Sequence, residues 1–272
     1  MTVWACVSPM ITLTITGVIP LSLLLFYYLL DKERVKSRQV ADTYGHAHYR
    51  PLNEKNEDPP RALTWGEKCS SVGRIMPLIV ALFVAYVAQY VTIQAVFTTI
   101  AFTNVPFKPR DQYVLYILLN SGGELLGRSY LSIIACVSPQ IVSRIVFKHT
   151  WVLSLVQVAI MVLASCESWF RFIESVAVVM SLSFIIGVLS GIIFVNSVCA
   201  VPEIVEPRFR EFSLGVISIG ESLGALLASF IGFFVEPALR RHCENTKDSH
   251  KSMCFTRNDK SQWRQTVCSK DF

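Results

Sequence analysis

Residues 173–201 read IESVAVVMSLSFIIGVLSGIIFVNSVCAV, and after Glu174 the stretch contains no Asp, Glu, Lys, Arg or His. A helix that crosses a bilayer needs about 20 mostly apolar residues, and no charged, water-facing stripe interrupts this one. It reads as a transmembrane span, long enough to tilt or kink. Five further windows have the same character. They run from about Val7 to Leu30, Ile75 to Thr103, Tyr113 to Val137, Thr150 to Cys166 and Phe212 to Val235. Several ends carry proline, at Pro106, Pro109, Pro139, Pro202, Pro207 and Pro237, where a helix loses an N–H donor.

The composition agrees. The 272-residue chain is 52% apolar and only 17% charged, with a mean hydropathy of +0.46, whereas a soluble domain carries roughly 25% charged residues. Most of the charge falls between Asp31 and Arg74 and after Pro237. This excludes a single water-soluble core, a disordered chain and a disulfide-framed secreted domain. The expectation is an all-α, polytopic membrane protein with about six transmembrane helices. Its layout is a first span over 1–30, a cytosolic loop over 31–74, a five-helix transmembrane bundle over 75–237 and a polar basic tail over 238–272. The first window lacks the basic leader and small-residue cleavage pattern of a signal peptide, so it reads as a retained span.

Lysine and arginine in the loops set the orientation. Segments 31–74, 138–149 and 201–211 carry thirteen, whereas the opposite short loops carry three, Lys108, Arg110 and Arg171. The first side is therefore expected in the cytosol and the tail across the membrane. That tail holds eight basic residues of its own, which translocated tails tolerate better than short loops do. The end of the long loop, from Arg61 to Cys69, reads either as a segment lying along the membrane surface with Leu63 and Trp65 dipped inward or as an ordinary solvated linker.

The cysteines form no CxxC pair and no Cys/His cluster with metal spacing, so no metal or cofactor is implied. Cys243, Cys254 and Cys268 share the tail, where an oxidising lumen would let one bridge form and leave one thiol over. Nothing suggests nucleic acid as a partner; the partners implied are the lipid bilayer and a small-molecule substrate.

The informative residues are the few charges inside the spans. Glu124 and Arg128 lie midway along the third window, with i, i+4 spacing that puts both on one face. Glu221 lies halfway along the sixth. An ionised group at that depth is costly and normally faces a bundle interior or a water-filled cavity. In one reading the two acids and the arginine are packing groups that neutralise one another. In the other, Arg128 anchors an anionic substrate and Glu221 or Glu124 takes up a proton. Gln89, Gln94 and Asn196 are further polar candidates, expected mainly to hydrogen-bond between helices. The spans hold no Ser–His pair, no His or Asp pair and no phosphate-cradling loop, so no enzyme chemistry is indicated.

Four segments, in order, resemble the battenin family of lysosomal membrane proteins. Tyr113 through Gly122, Gly127, Arg128 and Ser129 is similar to its YQxGVFxSRSS segment. Gly187 to Asn196 is similar to its glycine-rich EGLxGGxxYVN span. Arg210-Glu-Phe212 with Gly220-Glu-Ser-Leu-Gly224 is similar to REFxM…DxxG, and Ala88-Gln-Tyr90 with Gln94 fits AEYxxNQG. The resemblance covers roughly Pro9 to Pro237. It implies a fold related to one half of a major-facilitator transporter, in a lysosomal or late endosomal membrane. It also implies a role in lysosomal pH and in the export of small anionic metabolites of the glycerophosphodiester type. The substrate site is then expected at Arg128, Glu124, Glu221, Asn196 and Gln94. The alternative is a non-transporting scaffold in lysosomal or endosomal trafficking. Glu124 stands where the family has an apolar residue, and Gln89 where it has an acid. Family members also begin with further spans, so the resemblance calls for a second subunit or an N-terminal half. Tyr49-Arg-Pro-Leu52 in the cytosolic loop fits the tyrosine-based sorting pattern.

Overall fold

The computed structural model describes residues 63–102, 105–106, 109–137, 149–246 and 254–256, with single positions at Thr14, Val18 and Ile145. The chain divides into two units, one of 63–257 and one of 1–62 with 258–272, and the description below is of the first. The first window (7–30), the loop up to residue 62 with Tyr49 and Leu52, and most of the tail with Cys268 lie outside the described residues.

Among the described residues the architecture is all helical, with no strand. Helix α1 spans Trp65–Val91 and runs on through a π turn, Thr92–Val96, and a 3₁₀ turn, Phe97–Thr99. Helix α2 spans Pro109–Val137, α3 Thr150–Phe170 and α4 Val176–Ile204. A 3₁₀ turn, Pro207–Phe209, leads into α5, Arg210–Thr246. Four of these segments, all except α2, are long and apolar enough to cross a membrane. Helix α2 is as long as α4 but is diluted by Asn120, Glu124 and Arg128.

Two boundaries differ from the sequence expectation. Helix α1 begins at Trp65, ten residues before the apolar window, so the end of the 31–74 loop is helical from that residue on. The cause is a capping box. Thr64 Oγ1 accepts from the Glu67 N–H and the Glu67 carboxylate accepts from the Thr64 N–H at 2.8 Å, which satisfies two donors that otherwise have no partner at a helix start. Helix α5 continues nine residues past Pro237, beyond the expected end of the bundle. A proline removes one N–H but bends a helix rather than ending it when later residues are held. Here the Arg240–Glu244 ion pair, the Trp169–His242 ring stack and the Cys243–Cys254 disulfide hold them.

The interior mixes apolar cores with buried polar side chains, and the outward face is apolar. Gln89, Asn120, Gln157, Ser183, Ser190 and Asn196 are buried, while Leu226, Phe230, Phe233 and Phe234 on α5 face outward. Inward polar groups bond between helices: Gln157 donates to Ser190 Oγ at 2.8 Å, and Ser183 to the Tyr116 carbonyl at 2.7 Å.

The helices close into two pairs that are not neighbours in sequence, α2 with α4 and α1 with α5. In the first pair the backbones touch. A Cβ on Gly187 would stand 2.0 Å from the Asn120 carbonyl oxygen, and one on Gly191 2.5 Å from that of Glu124. Small residues permitting such approach are the usual means of helix association in lipid. The second pair closes where Gly224 meets Tyr86 and the Phe83 carbonyl. Helix α3 packs on α1 and α4, and α2 does not pack along α1 or α5.

Candidate functional site

The space between α2 and the α1–α5 pair is crossed at mid-height by long polar side chains. Arg128 Nη2 donates to Glu124 Oε1 at 2.7 Å and to Glu221 Oε1 at 2.8 Å, and it also donates to the Tyr86 hydroxyl at 2.8 Å. The Tyr86 hydroxyl donates onward to Glu124 Oε1 at 3.4 Å. Gln89 Nε2 donates to Glu124 Oε2 at 3.2 Å and to Asn120 Oδ1 at 3.1 Å. Asn120 in turn donates to the Ser183 carbonyl on α4. The ring of Phe194 lies under the guanidinium, 4.2 Å from its carbon, a cation–π contact.

Local structure explains each placement. Four residues along α2 bring Glu124 and Arg128 to one face in the favoured acid-first order. Gly187 and Gly191 press α4 against that same length of α2, so the backbone beneath both charged residues is held fast. Gly220 and Gly224 do the same for α5 against α1 around Glu221.

Two carboxylates face one guanidinium, so the ionised cluster carries one net negative charge. The side chains of Arg128, Glu124 and Glu221 keep 35%, 20% and 24% of their exposure. All three are therefore partly open and not sealed into a packed core.

Of the five residues expected at the site, the structure brings together Arg128, Glu124 and Glu221. Asn196 donates instead to the Tyr130 hydroxyl and the Ile192 carbonyl, and Gln94 accepts from Ser229, tying the π turn of α1 to α5. Both make the hydrogen bonds between helices foreseen for them, and neither joins the ionic cluster. Tyr86, Asn120 and Phe194 do join it but were absent from the expected set. Tyr86 and Asn120 are signalled in the sequence, since Tyr86 and Gln89 stand three apart on one helical face and Asn120 is one turn before Glu124. Phe194 is one of many phenylalanines and carries no such mark.

A second polar cluster closes the opposite end of the bundle from the capping box. Arg171 adopts a left-handed backbone (φ 54°). Its guanidinium donates to the Thr99 carbonyl and, at 3.4 Å, to Cys243 Sγ. Burial pushes the Arg171 guanidinium down, and Glu167 beside it opposes that shift. The Cys243–Cys254 disulfide, with 5.7 Å between the Cα atoms, brings 254–256 across this end. There the Thr256 N–H and hydroxyl both donate to the Thr98 carbonyl. One bridge among the tail cysteines was the sequence expectation.

Comparison with known proteins now has a geometry to refer to. Residues 1–242 match the family model described as CLN3 protein. Among curated relatives, Protein BTN1 of Kluyveromyces lactis is 27% identical over 239 residues, covering 85% of this chain and 57% of its own. Protein BTN1 of Eremothecium gossypii is 32% identical over 176 residues, 62% of this chain and 40% of its own. Protein BTN1 of Saccharomyces cerevisiae is 30% identical over 179 residues, 62% of this chain and 41% of its own. The chain thus spans about half the length of the curated relatives it matches. No solved structure matches it.

Proposed function

The chain belongs to the CLN3 protein (battenin) family, and from that premise we propose that it is a lysosomal or vacuolar multi-pass protein that moves, or regulates the movement of, small anionic metabolites of the glycerophosphodiester type. In this reading it contributes to lysosomal pH homeostasis, and six spans cross the membrane, as in one half of a major-facilitator transporter. The observation that carries the reading is Arg128, a guanidinium at mid-height with a third of its side chain still accessible. A phosphodiester offers such a group the same paired oxygens as a carboxylate. Glu221 and Glu124 already occupy those positions, so an anion binds by exchange for one of them rather than by addition.

Orientation has its own support. The disulfide forms at the end of the bundle that carries the two basic-poor loops, and disulfides belong to oxidising compartments. That end faces the lumen in this reading, and the capping-box end, where Arg74 pairs with Glu206 and Arg208 with Glu67, faces the cytosol.

The test is efflux of glycerophosphodiesters from isolated lysosomes or yeast vacuoles expressing the full chain, alone or with an N-terminal half from a relative. Arg128→Ala should abolish the efflux and Arg128→Lys should leave a fraction of it. Normal efflux through Arg128→Ala would remove the reading. Wild-type chain that transports nothing yet changes lysosomal delivery of cargo would favour a trafficking scaffold.

A further inference from the structure

The charges of the ionic cluster do not balance. Two carboxylates, Glu124 and Glu221, face one guanidinium, and Arg128 is the sole basic group around them among the described residues. The phenols of Tyr86 and Tyr90 on α1 complete the titratable set and bring no positive charge. Both carboxylates sit on the same nitrogen. Nη2 carries the bonds to Glu124 and Glu221, whereas Nη1 carries none and is not buried. Glu124 is fully engaged, with Oε1 taken by Arg128 and Tyr86 and Oε2 by Gln89. On Glu221, Oε1 accepts from Arg128, while Oε2 is accessible and has no donor. The site therefore presents an open donor and an open acceptor on two groups that are already in contact.

From these charges we infer that the cargo is a zwitterion, a phosphodiester that carries its own ammonium group, with its anion on Arg128 and its cation on the carboxylates. The Nε edge of the guanidinium is buried, so a phosphodiester that grips it through two oxygens takes Nη1 and Nη2. On Nη2 it displaces a carboxylate. A simple anion would then raise the cluster from one net negative charge to two. It would also leave a carboxylate without its cation at mid-height in the membrane, where such a group is costly. An ammonium on the same molecule, a short ethylene link from the phosphate, takes the guanidinium's place beside that carboxylate and keeps the net charge where it was. Glu221 Oε2 is open to receive it before any bond is exchanged. Tyr90, half-buried and within electrostatic reach of both acids, adds an aromatic ring of the kind that attracts ammonium groups. The phosphodiester rests on the function proposed above; the demand for a cation beside it rests on the cluster.

The test is a matched pair of ligands. Glycerophosphoethanolamine and glycerophosphoglycerol share the glycerol and the phosphodiester, and differ in an ammonium against a diol. Binding of each to the full chain in nanodiscs is measured by isothermal titration calorimetry, at neutral and at acidic pH. The zwitterion should bind about tenfold more tightly, the value of one added charge-assisted contact. Glu124→Gln removes one negative charge from the cluster and should narrow the difference to about threefold or less. Should that variant not accumulate, Glu221→Gln removes the same charge. Glycerophosphoglycerol that matches the zwitterion at either pH overturns the inference and leaves the anionic-cargo reading standing; a match at acidic pH alone names a proton as the compensating cation. A preference that both variants leave intact overturns the inference too. If neither compound binds the wild type, the function proposed above fails, and the zwitterion with it.

Discussion

Adding one methyl group at Gly191 tests whether α2 and α4 are held by backbone contact. An alanine Cβ there would stand 2.5 Å from the Glu124 carbonyl oxygen, 2.6 Å from the Arg128 nitrogen and 2.7 Å from the Gly127 carbonyl carbon. All three are backbone atoms of α2 and cannot rotate aside. Ordinary contact lies near 3.5 Å, so one helix must retreat by about 1 Å. Overpacking of this kind costs about 1–3 kcal/mol, which for a domain of this size lowers the melting temperature by about 2–10 °C. The same retreat is felt at the site, because the bonds from Arg128 to Glu221 and Tyr86 are both 2.8 Å and a shift of about 1 Å takes them out of hydrogen-bond range. Gly122, on the facing helix α2, has nothing within 4 Å of its would-be Cβ, so Gly122→Ala serves as the control. Thermal unfolding of the full chain in nanodiscs, followed by tryptophan fluorescence, should separate the two variants. If Gly191→Ala and Gly122→Ala melt together, the claim of backbone contact between α2 and α4 is wrong.

Three further outcomes are expected. Tyr86→Phe removes the hydroxyl that accepts from Arg128 and should destabilise the fold by about 1–2 kcal/mol, with a larger proportional loss of efflux than of folded protein in membranes. Cys243→Ser opens a loop with a sequence separation of 11, worth about 2–3 kcal/mol to the end of the bundle; faster hydrogen exchange at Thr256 and retarded migration on a non-reducing gel would register it. Thr64→Ala removes the side-chain half of the capping box and should cost about 1 kcal/mol, seen as faster exchange of the Glu67 and Lys68 amides with no change at the ionic cluster.

Spans were legible wherever apolar residues ran unbroken, which is why α3 and α4 fall within a few residues of their windows. The start of α1 is hidden from hydropathy because Glu67, Lys68 and Arg74 break the apolar run, while the Thr64…Glu67 pattern that begins the helix is local chemistry, not hydrophobicity. Pro237 does not end α5, since a disulfide to Cys254 and a ring stack with Trp169, both from other segments, hold the residues beyond it. The Glu124–Arg128 pair could be read directly, because four residues is one turn. That Glu221, 93 residues farther on, would meet the same guanidinium required the helix pairing. Glycines at 187, 191, 220 and 224 mark faces fit for close approach, but a small face does not name its partner.

The interleaved pairing also has a consequence for biosynthesis. Helix α1 leaves the ribosome about 120 residues before α5 does, and at 5–20 residues per second that is a wait on the order of ten seconds. During it the face of α1 at Phe83 and Tyr86, which Gly224 of α5 covers in the folded bundle, is open to lipid or to the insertion machinery. Helices α2 and α4 meet sooner, on a gap of one intervening span. The chain therefore assembles its inner pair first, and α1 is the segment most in need of an intramembrane chaperone and most vulnerable to quality-control proteolysis when α5 is delayed or truncated.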